Sequence, residues 1–290
     1  MSNHIHLVLR SRPDVVAEWD DTDVARRWLM LCPVERDDNR QPKEPTEFEL
    51  NQIRNNKEKL AEIRSRLSDI SWWMRLLSQN IAQRANLEDE EVGKFWQARF
   101  RAVRLLDETA ILACAAYVDL NPIRAALAET VEDSDFTSAQ KRAGDLRSKC
   151  SVGRVQSSGK PVQTNGRHLA PVDLKERSGK TGPDVHKAGA RCSNKGFLAM
   201  STADYLQLLD WTARQQRRDK QGATPKTFAP VFERLGILSA VWCHLVMDFG
   251  RLFSVVAGQP HKIDEHRSRT KDSSHRFRTR QATRELMSPA

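Results

Sequence analysis

Two histidines lie two residues apart near the start of the chain, in the stretch "MSNHIHLVLR". Aliphatic residues alternate with them, and this pattern predicts a β-strand with His4 and His6 on one face. Imidazoles at this spacing project about 7 Å apart along a strand and can converge on one cation. Because two ligands do not define a metal site, a third must come from elsewhere. For Mg²⁺ or Mn²⁺ an oxygen atom is the natural choice.

A tyrosine and an asparagine supply the other half of a candidate site. The chain contains only two tyrosines, and Tyr117 lies four residues before Asn121 in a predicted helix, so both side chains should project from one face. A phenol can act as a nucleophile and an amide oxygen can bind a metal ion, so this pair set against two imidazoles would form a nucleophile-and-metal site. The alternative is an amphipathic helix whose tyrosine is partly buried and whose asparagine caps the helix before Pro122.

Two segments would position the tyrosine. The stretch "KFWQARFRAVRLLDE" predicts extended structure with one apolar and one cationic face. Asp107 is then expected to cap a helix that ends near Pro122. The tyrosine helix should therefore follow directly on a strand.

A seven-residue repeat of apolar side chains predicts one long amphipathic helix upstream of these segments. A dimerisation coil, which would make the protein a homodimer, is one interpretation. A helix that covers a sheet or an antiparallel partner is favoured, since Trp72 and Trp73 widen the apolar face beyond a coiled-coil seam. The members of the repeat are Ile53, Leu60, Leu67, Met74 and Ile81.

Charge and composition divide the chain. Residues 1–140 carry 19 Lys and Arg against 25 Asp and Glu, a net charge of −6, whereas the remainder carries 28 against 13, or +15. Residues 141–196 are rich in Ser, Gly, Pro and Lys, which predicts a disordered basic linker. Helical patterns return in 197–257, and 258–290 is predicted to be a disordered basic tail. The basic half is typical of a protein with a phosphate-bearing partner, and a solvated tether is the alternative.

The same sequence excludes several classes of protein. Five scattered cysteines without a C-x-x-C pair indicate neither a disulfide framework nor a zinc ribbon. No apolar run approaches the roughly 18 to 20 residues that span a bilayer, so a cytoplasmic protein is expected. The absence of a Walker-type glycine loop argues against an ATP-driven enzyme.

Three segments, "MSNHIHLVLR", "GKFWQARFRAVRLLDE" and "AYVDLNPIRAALAE", in that order resemble the single-tyrosine HUH transposases, especially the REP-associated tyrosine transposases. The resemblance covers about residues 1–140. It implies an α+β class with a ferredoxin-like antiparallel sheet and packed helices, to which this chain adds a mainly helical C-terminal region. It also implies His4, His6 and Asn121 as ligands of Mg²⁺ or Mn²⁺ and Tyr117 as the nucleophile.

The reaction implied by the resemblance is cleavage and rejoining of single-stranded DNA that carries hairpins. The Tyr117 phenolate would attack phosphorus in line, the metal would polarise a non-bridging oxygen, and a 3′-hydroxyl would leave. A second 3′-hydroxyl can reverse the resulting 5′-phosphotyrosine bond without a nucleotide cofactor. Candidates for contacts with the DNA backbone, each with solvated surface charge as the alternative, are Arg64, Arg75, Arg99, Arg101 and Arg104.

One departure from the family concerns the N-terminus. Family members have a strand, a helix and more strand before the His-x-His strand, whereas three residues precede it here. We therefore expect an N-terminally truncated transposase domain whose sheet lacks neighbouring strands. A catalytically inactive DNA-binding remnant is the first alternative function. An interaction protein assembled through the heptad repeat is the second.

Overall fold

The computed structural model describes residues 4–152, 168–174, 195–215, 228–270 and 278–287. The chain forms two compact units. What we call the helical unit is Leu9–Arg101 with Thr181–Ser193, and the latter segment lies outside the described residues. What we call the composite unit is Met1–Val8 with Ala102–Lys180 and Asn194–Ala290.

The helical unit begins with five helices. They are α1 (Pro13–Glu18), α2 (Asp21–Leu31), α3 (Glu47–Arg54), α4 (Lys57–Leu67) and α5 (Ile70–Glu88). Polar side chains fix where several of them begin; Thr46 and Glu49, for example, form a capping box at the start of α3. The four helices α1, α2, α3 and α4 together form the core. Its buried residues are Val15, Val16, Trp19, Val24, Ala25, Leu29, Leu50, Ile53, Leu60 and Ile63.

The heptad repeat is helical, but the prediction of one long helix is wrong. The repeat is divided among α3, α4 and α5, because two side chains cap new helices within it. The Asn56 side chain accepts a hydrogen bond from the Lys59 amide at 2.9 Å, and the Asp69 carboxylate accepts one from the Ser71 amide at 2.6 Å. The first part of the repeat packs in the core of the helical unit, whereas α5 has no fully buried residue.

The extended segment predicted from Lys94 forms almost no strand. Residues 94–103 are irregular, and only Arg104–Leu105 is a strand, β1. Within the helical unit, Trp96 anchors this segment because its indole N–H donates to the Ser78 carbonyl of α5 at 2.8 Å. A side-chain anchor of this kind replaces the strand pairing that the alternating pattern predicted.

The composite unit combines a two-stranded parallel sheet with helices. β1 pairs with β2 in the register Arg104↔Val256 and Leu105↔Ala257. Asp107 caps α6 as predicted, since its carboxylate accepts from the Ala110 amide at 2.8 Å. The elements after β1 are α6 (Glu108–Asp119), α7 (Asn121–Arg124), α8 (Ser138–Val152), α9 (Thr202–Gln215), α10 (Ala229–Leu235), α11 (Ser239–Met247), α12 (Phe249–Leu252), β2 (Val256–Ala257), α13 (Pro260–Thr270) and α14 (Gln281–Met287).

A buried carboxyl group joins three helices of the composite unit. Asp119, at the end of α6, accepts hydrogen bonds from the Tyr205 hydroxyl at 2.7 Å, the Ser138 hydroxyl at 2.7 Å and the Ala139 amide at 3.2 Å. Burial raises the pKa of Asp119, because a charged carboxylate is poorly solvated there. These bonds link α6 to α8 and α9, so the tyrosine helix and the C-terminal helices share one core.

This shared core differs from the predicted division of the chain. Residues 197–257, predicted to be a separate helical domain, belong to the same unit as α6. The predicted linker 141–196 begins inside α8, and much of it lies outside the described residues. The predicted disordered tail 258–290 contains α13 and α14. Buried side chains such as Ile263 explain why the tail is ordered there.

The fold is α+β in the broad sense and is dominated by helices. Its sheet is parallel, not the antiparallel ferredoxin-like sheet implied by the resemblance, and residues 4–10 form no strand. A strand needs a pairing neighbour, and the described part of the chain provides none beside these residues. Among the described helices none is alone long and apolar enough to span a membrane; α10 and α11 reach that composition only together, across a 75° bend.

Candidate active site

His4, His6 and Tyr117 lie together in the composite unit. The ring centroids of the two histidines are 4.7 Å apart at an interplanar angle of 85°, and those of His6 and Tyr117 are 5.6 Å apart at 76°. Both contacts are edge-to-face, an arrangement that aromatic rings favour. The structure thus brings the predicted nucleophile next to the predicted imidazole ligands across more than a hundred residues of sequence.

Tyr117 projects from α6 toward the short helix α12. Its partly buried ring packs against Phe249 with centroids 5.7 Å apart. A Cβ atom placed on Gly250 would lie 3.4 Å from the Tyr117 hydroxyl oxygen, so the main chain of α12 passes close to that oxygen. Sequence reasoning missed Gly250, and no spacing or motif singles it out.

Arg124 completes the surroundings of the tyrosine. Its guanidinium carbon lies 3.9 Å from the centroid of the Tyr117 ring, which is a cation–π contact. Nη1 donates to the Tyr117 carbonyl at 3.3 Å, and Nη2 donates to the Asn121 amide oxygen at 3.4 Å. Sequence reasoning missed this residue as well, although it lies within the segment "AYVDLNPIRAALAE" that contains Tyr117 and Asn121.

Asn121 does not share a helix with Tyr117, contrary to the prediction from their spacing. α6 ends at Asp119 and α7 begins at Asn121, so the i to i+4 relation of one continuous helix does not apply. Leu120 separates the two helices, and the contact that places the Asn121 side chain is the one with Arg124. An amide oxygen can accept more than one bond, so this contact does not exhaust its capacity to bind a cation.

The surroundings of His6 favour its neutral form. Partial burial lowers the pKa of His6 below 6.5, and the nearby positive charges of His4 and Arg124 lower that pKa further. A neutral imidazole presents a lone pair to a cation. The described residues contain no group of three or more His, Cys, Asp or Glu placed to hold a metal ion, so a cation here would need the Asn121 oxygen or oxygens of a substrate.

The five arginines predicted to contact DNA fall into different environments. Arg104 is exposed on β1 in the composite unit. In the helical unit, Arg75 and Arg99 are both exposed. The guanidinium carbon of Arg75 lies 5.0 Å from the centroid of the Trp72 ring, and that of Arg99 lies 5.5 Å from the centroid of the Phe100 ring. Exposed guanidinium groups of this kind remain accessible to a phosphate backbone.

Arg101 is also exposed. Arg64, in contrast, is bonded to other residues of the helical unit. The Arg64 guanidinium donates to the Val16 carbonyl at 2.8 Å and the Trp19 carbonyl at 2.7 Å, at the end of α1, and pairs with Asp21 at 3.0 Å. These bonds satisfy carbonyls that a helix end leaves unpaired. Arg64 therefore stabilises the helical unit, and its guanidinium is already occupied by these bonds.

Comparisons with known proteins give no relative from which a function can be transferred. No family model matches the chain, and no match was found among curated proteins or solved structures. The function therefore has to be inferred from the chemistry of the site residues.

Proposed function

We propose that the protein nicks and rejoins single-stranded DNA through a 5′-phosphotyrosine on Tyr117, in the manner of the single-tyrosine HUH transposases. The observation that carries this proposal is the contact of the Tyr117 ring with His6, which in turn contacts His4. A packing role alone would not require two imidazoles beside a partly exposed phenol. The sheet implied by the family is not part of the support, because the described sheet is parallel.

The residues of the site have distinct roles in this reaction. The Tyr117 oxygen forms the new bond to phosphorus after its proton passes to water, and the 3′-oxygen of the DNA leaves. His4, His6 and the Asn121 oxygen would hold Mg²⁺ or Mn²⁺, which when bound supplies Lewis-acid polarisation of a phosphate oxygen. Separately from the site, we propose that the exposed arginines Arg75, Arg99 and Arg101 of the helical unit and Arg104 of the composite unit contact the DNA backbone. We also propose a cytoplasmic location for this activity.

The decisive experiment tests the covalent bond. The full chain is incubated with hairpin-bearing single-stranded DNA and Mn²⁺, and a protein–DNA adduct that survives denaturing electrophoresis is measured. Tyr117→Phe should abolish the adduct because no other group would replace the phenol oxygen. The matched control is Tyr205→Phe, which changes the other tyrosine of the chain, and circular dichroism establishes that both variants fold. Undiminished adduct in Tyr117→Phe would refute the nucleophile assignment.

A non-catalytic DNA-binding protein is the second candidate, and the charge of +15 on residues 141–290 favours it. It predicts DNA retention that weakens steeply with salt and survives both His4→Ala and Tyr117→Phe. Deletion of the basic half would confound this test, because α9 to α13 complete the core. The double variant Arg267→Gln/Arg269→Gln on α13 removes charge without removing the helix. It should lower the salt dependence of DNA retention, measured by fluorescence anisotropy.

A further inference from the structure

Arg124 carries a positive charge that no described carboxylate neutralises. Its partners in the described part of the chain are neutral: the Tyr117 carbonyl, the Asn121 amide oxygen and the Tyr117 ring. Two other arginines of the composite unit differ from it, since Arg284 pairs with Asp264 at 2.8 Å and Arg251 with Asp248 at 3.2 Å. A partly buried cation without a counter-ion favours binding of an anion.

The position of Arg124 defines which anion it can reach. Its guanidinium lies over the ring of the tyrosine whose oxygen would attack phosphorus. Two of its five N–H groups are used, in bonds of 3.3 and 3.4 Å, so three remain for another acceptor. The planar fork of a guanidinium matches two oxygens of one phosphate group. The cation–π contact limits the orientations of the guanidinium before any ligand arrives.

We propose that Arg124 is the phosphate-binding residue of this site, that it holds the two non-bridging oxygens of one phosphodiester beside Tyr117, and that this binding requires no metal ion. The proposal rests on the proposed function in taking DNA as the source of the phosphodiester. It adds a catalytic residue that the three sequence segments did not identify. It also separates anion binding, by Arg124, from any cation bound by the histidines.

A purely structural role for Arg124 makes a different prediction. Its bond to the Tyr117 carbonyl links α6 to α7, and loss of that bond alone would lower the unfolding temperature without changing anion affinity. Arg124→Lys keeps the charge but lacks the planar fork. Arg124→Gln removes the charge. A phosphate-binding role therefore predicts graded affinities, in the order wild type, Lys variant, Gln variant.

The test uses dimethyl phosphate, a phosphodiester without base or sugar, with the full chain in EDTA. Binding is followed by broadening of the ³¹P resonance, and unfolding temperatures are recorded in parallel. Arg124→Gln should weaken binding about tenfold or more, since hydrogen bonds between charged groups are the strong ones. The affinity of Arg124→Lys for dimethyl phosphate should lie between those of the wild type and Arg124→Gln. The control, Arg284→Gln, changes an arginine already paired with Asp264 and should bind like the wild type.

The outcomes separate this inference from the proposed function. Equal dimethyl phosphate affinity in wild type and in folded Arg124→Gln overturns the phosphate-binding role, even if the wild type forms the covalent DNA adduct. Absence of binding by the wild type overturns it as well. Arg124-dependent binding without any adduct supports the phosphate-binding role and counts against strand cleavage.

Discussion

The buried cores of the two compact units are built from segments that span very different lengths of the chain. In the helical unit the buried core residues all fall between Val15 and Ile63, within four consecutive helices. The core of the composite unit extends from Ala110 to Ile263 and includes α6, α9, α11 and α13. Contacts between distant segments require more loop closure before they stabilise a fold. The unit that holds the candidate site is therefore the one that depends on distant parts of the chain.

Dividing the chain should produce the largest difference between the units. A fragment of residues 9–101 should fold alone, because its core residues are all present. A fragment of residues 102–152 should not fold, because α6 loses its buried neighbours on α9 and α11. Circular dichroism during heating checks both, with 102–290 as the control that restores the missing helices. Cooperative unfolding of the 102–152 fragment would show that the core around α6 does not depend on the distant helices α9 and α11.

A single substitution at the junction of α6, α8 and α9 should have the next largest effect. Asp119→Ala leaves the Tyr205 and Ser138 hydroxyls and the Ala139 amide without their acceptor, and should lower the free energy of unfolding by about 3 kcal/mol. Urea unfolding measures the loss. Asp135→Ala, at an exposed carboxylate that accepts from Gln140, is the control and should cost about 0.5 kcal/mol or less.

The contribution of Asp119 to the free energy of unfolding should also depend on pH. Because burial raises the pKa of Asp119 in the folded state, this group adds stability below its unfolded pKa and loses that contribution as the pH rises through the folded pKa. The difference in unfolding free energy between wild type and Asp119→Ala should therefore narrow as the pH is raised. A difference that widened with pH would contradict the direction of the shift.

In the helical unit a comparable change should cost less, because it affects one helix end. Asp69→Ala removes the side chain that accepts from the first amides of α5, and should lower the unfolding free energy by about 1 kcal/mol. Asp89→Ala, at the C-cap of the same helix, is the matched control. A carboxylate there opposes the helix dipole, so its removal should be neutral or slightly stabilising. Equal losses from both variants would refute the capping role.

The smallest effect should come from an ion pair in the same unit that joins a buried arginine to an exposed carboxylate. The Arg12 guanidinium, hydrogen-bonded to Asp14, lowers the pKa of that carboxyl to about 2. Stability from this pair is present above the usual pKa of 3.8 and is lost as the pH falls through about 2. The unfolding temperature of Asp14→Asn should thus change less than that of wild type between pH 5 and pH 2. An equal change of unfolding temperature in wild type and Asp14→Asn would contradict a role for this pair.

Local signals predicted much of the fold. The Asp107 cap and the helix after it depend on neighbouring residues, and both were predicted from the sequence. The divided heptad repeat was predicted less well, because apolar periodicity continues across the caps at Asn56 and Asp69. The pairing of β1 with β2 joins segments about 150 residues apart, which no local pattern encodes.

The candidate site shows the same division. His4, His6 and Tyr117 could be selected by residue type and resemblance, and the structure places them in contact, while their chemical roles remain a prediction. The prediction that Tyr117 and Asn121 share one helix was wrong, because α6 ends before Asn121, although Arg124 contacts both side chains. Gly250 could not be found from sequence, because its importance depends on where α12 packs.

The approach of α12 to the tyrosine gives the proposed reaction a direction. One side of the Tyr117 hydroxyl oxygen faces the main chain at Gly250, which leaves only enough space for a single methyl group. A DNA strand joined to that oxygen would have to extend away from α12. A side chain larger than a methyl group at position 250 would press on the Tyr117 hydroxyl oxygen from the side opposite the DNA, while the histidines, the tyrosine and Arg124 stayed chemically intact. The absence of a side chain at Gly250 thus leaves room for the Tyr117 hydroxyl oxygen beside α12.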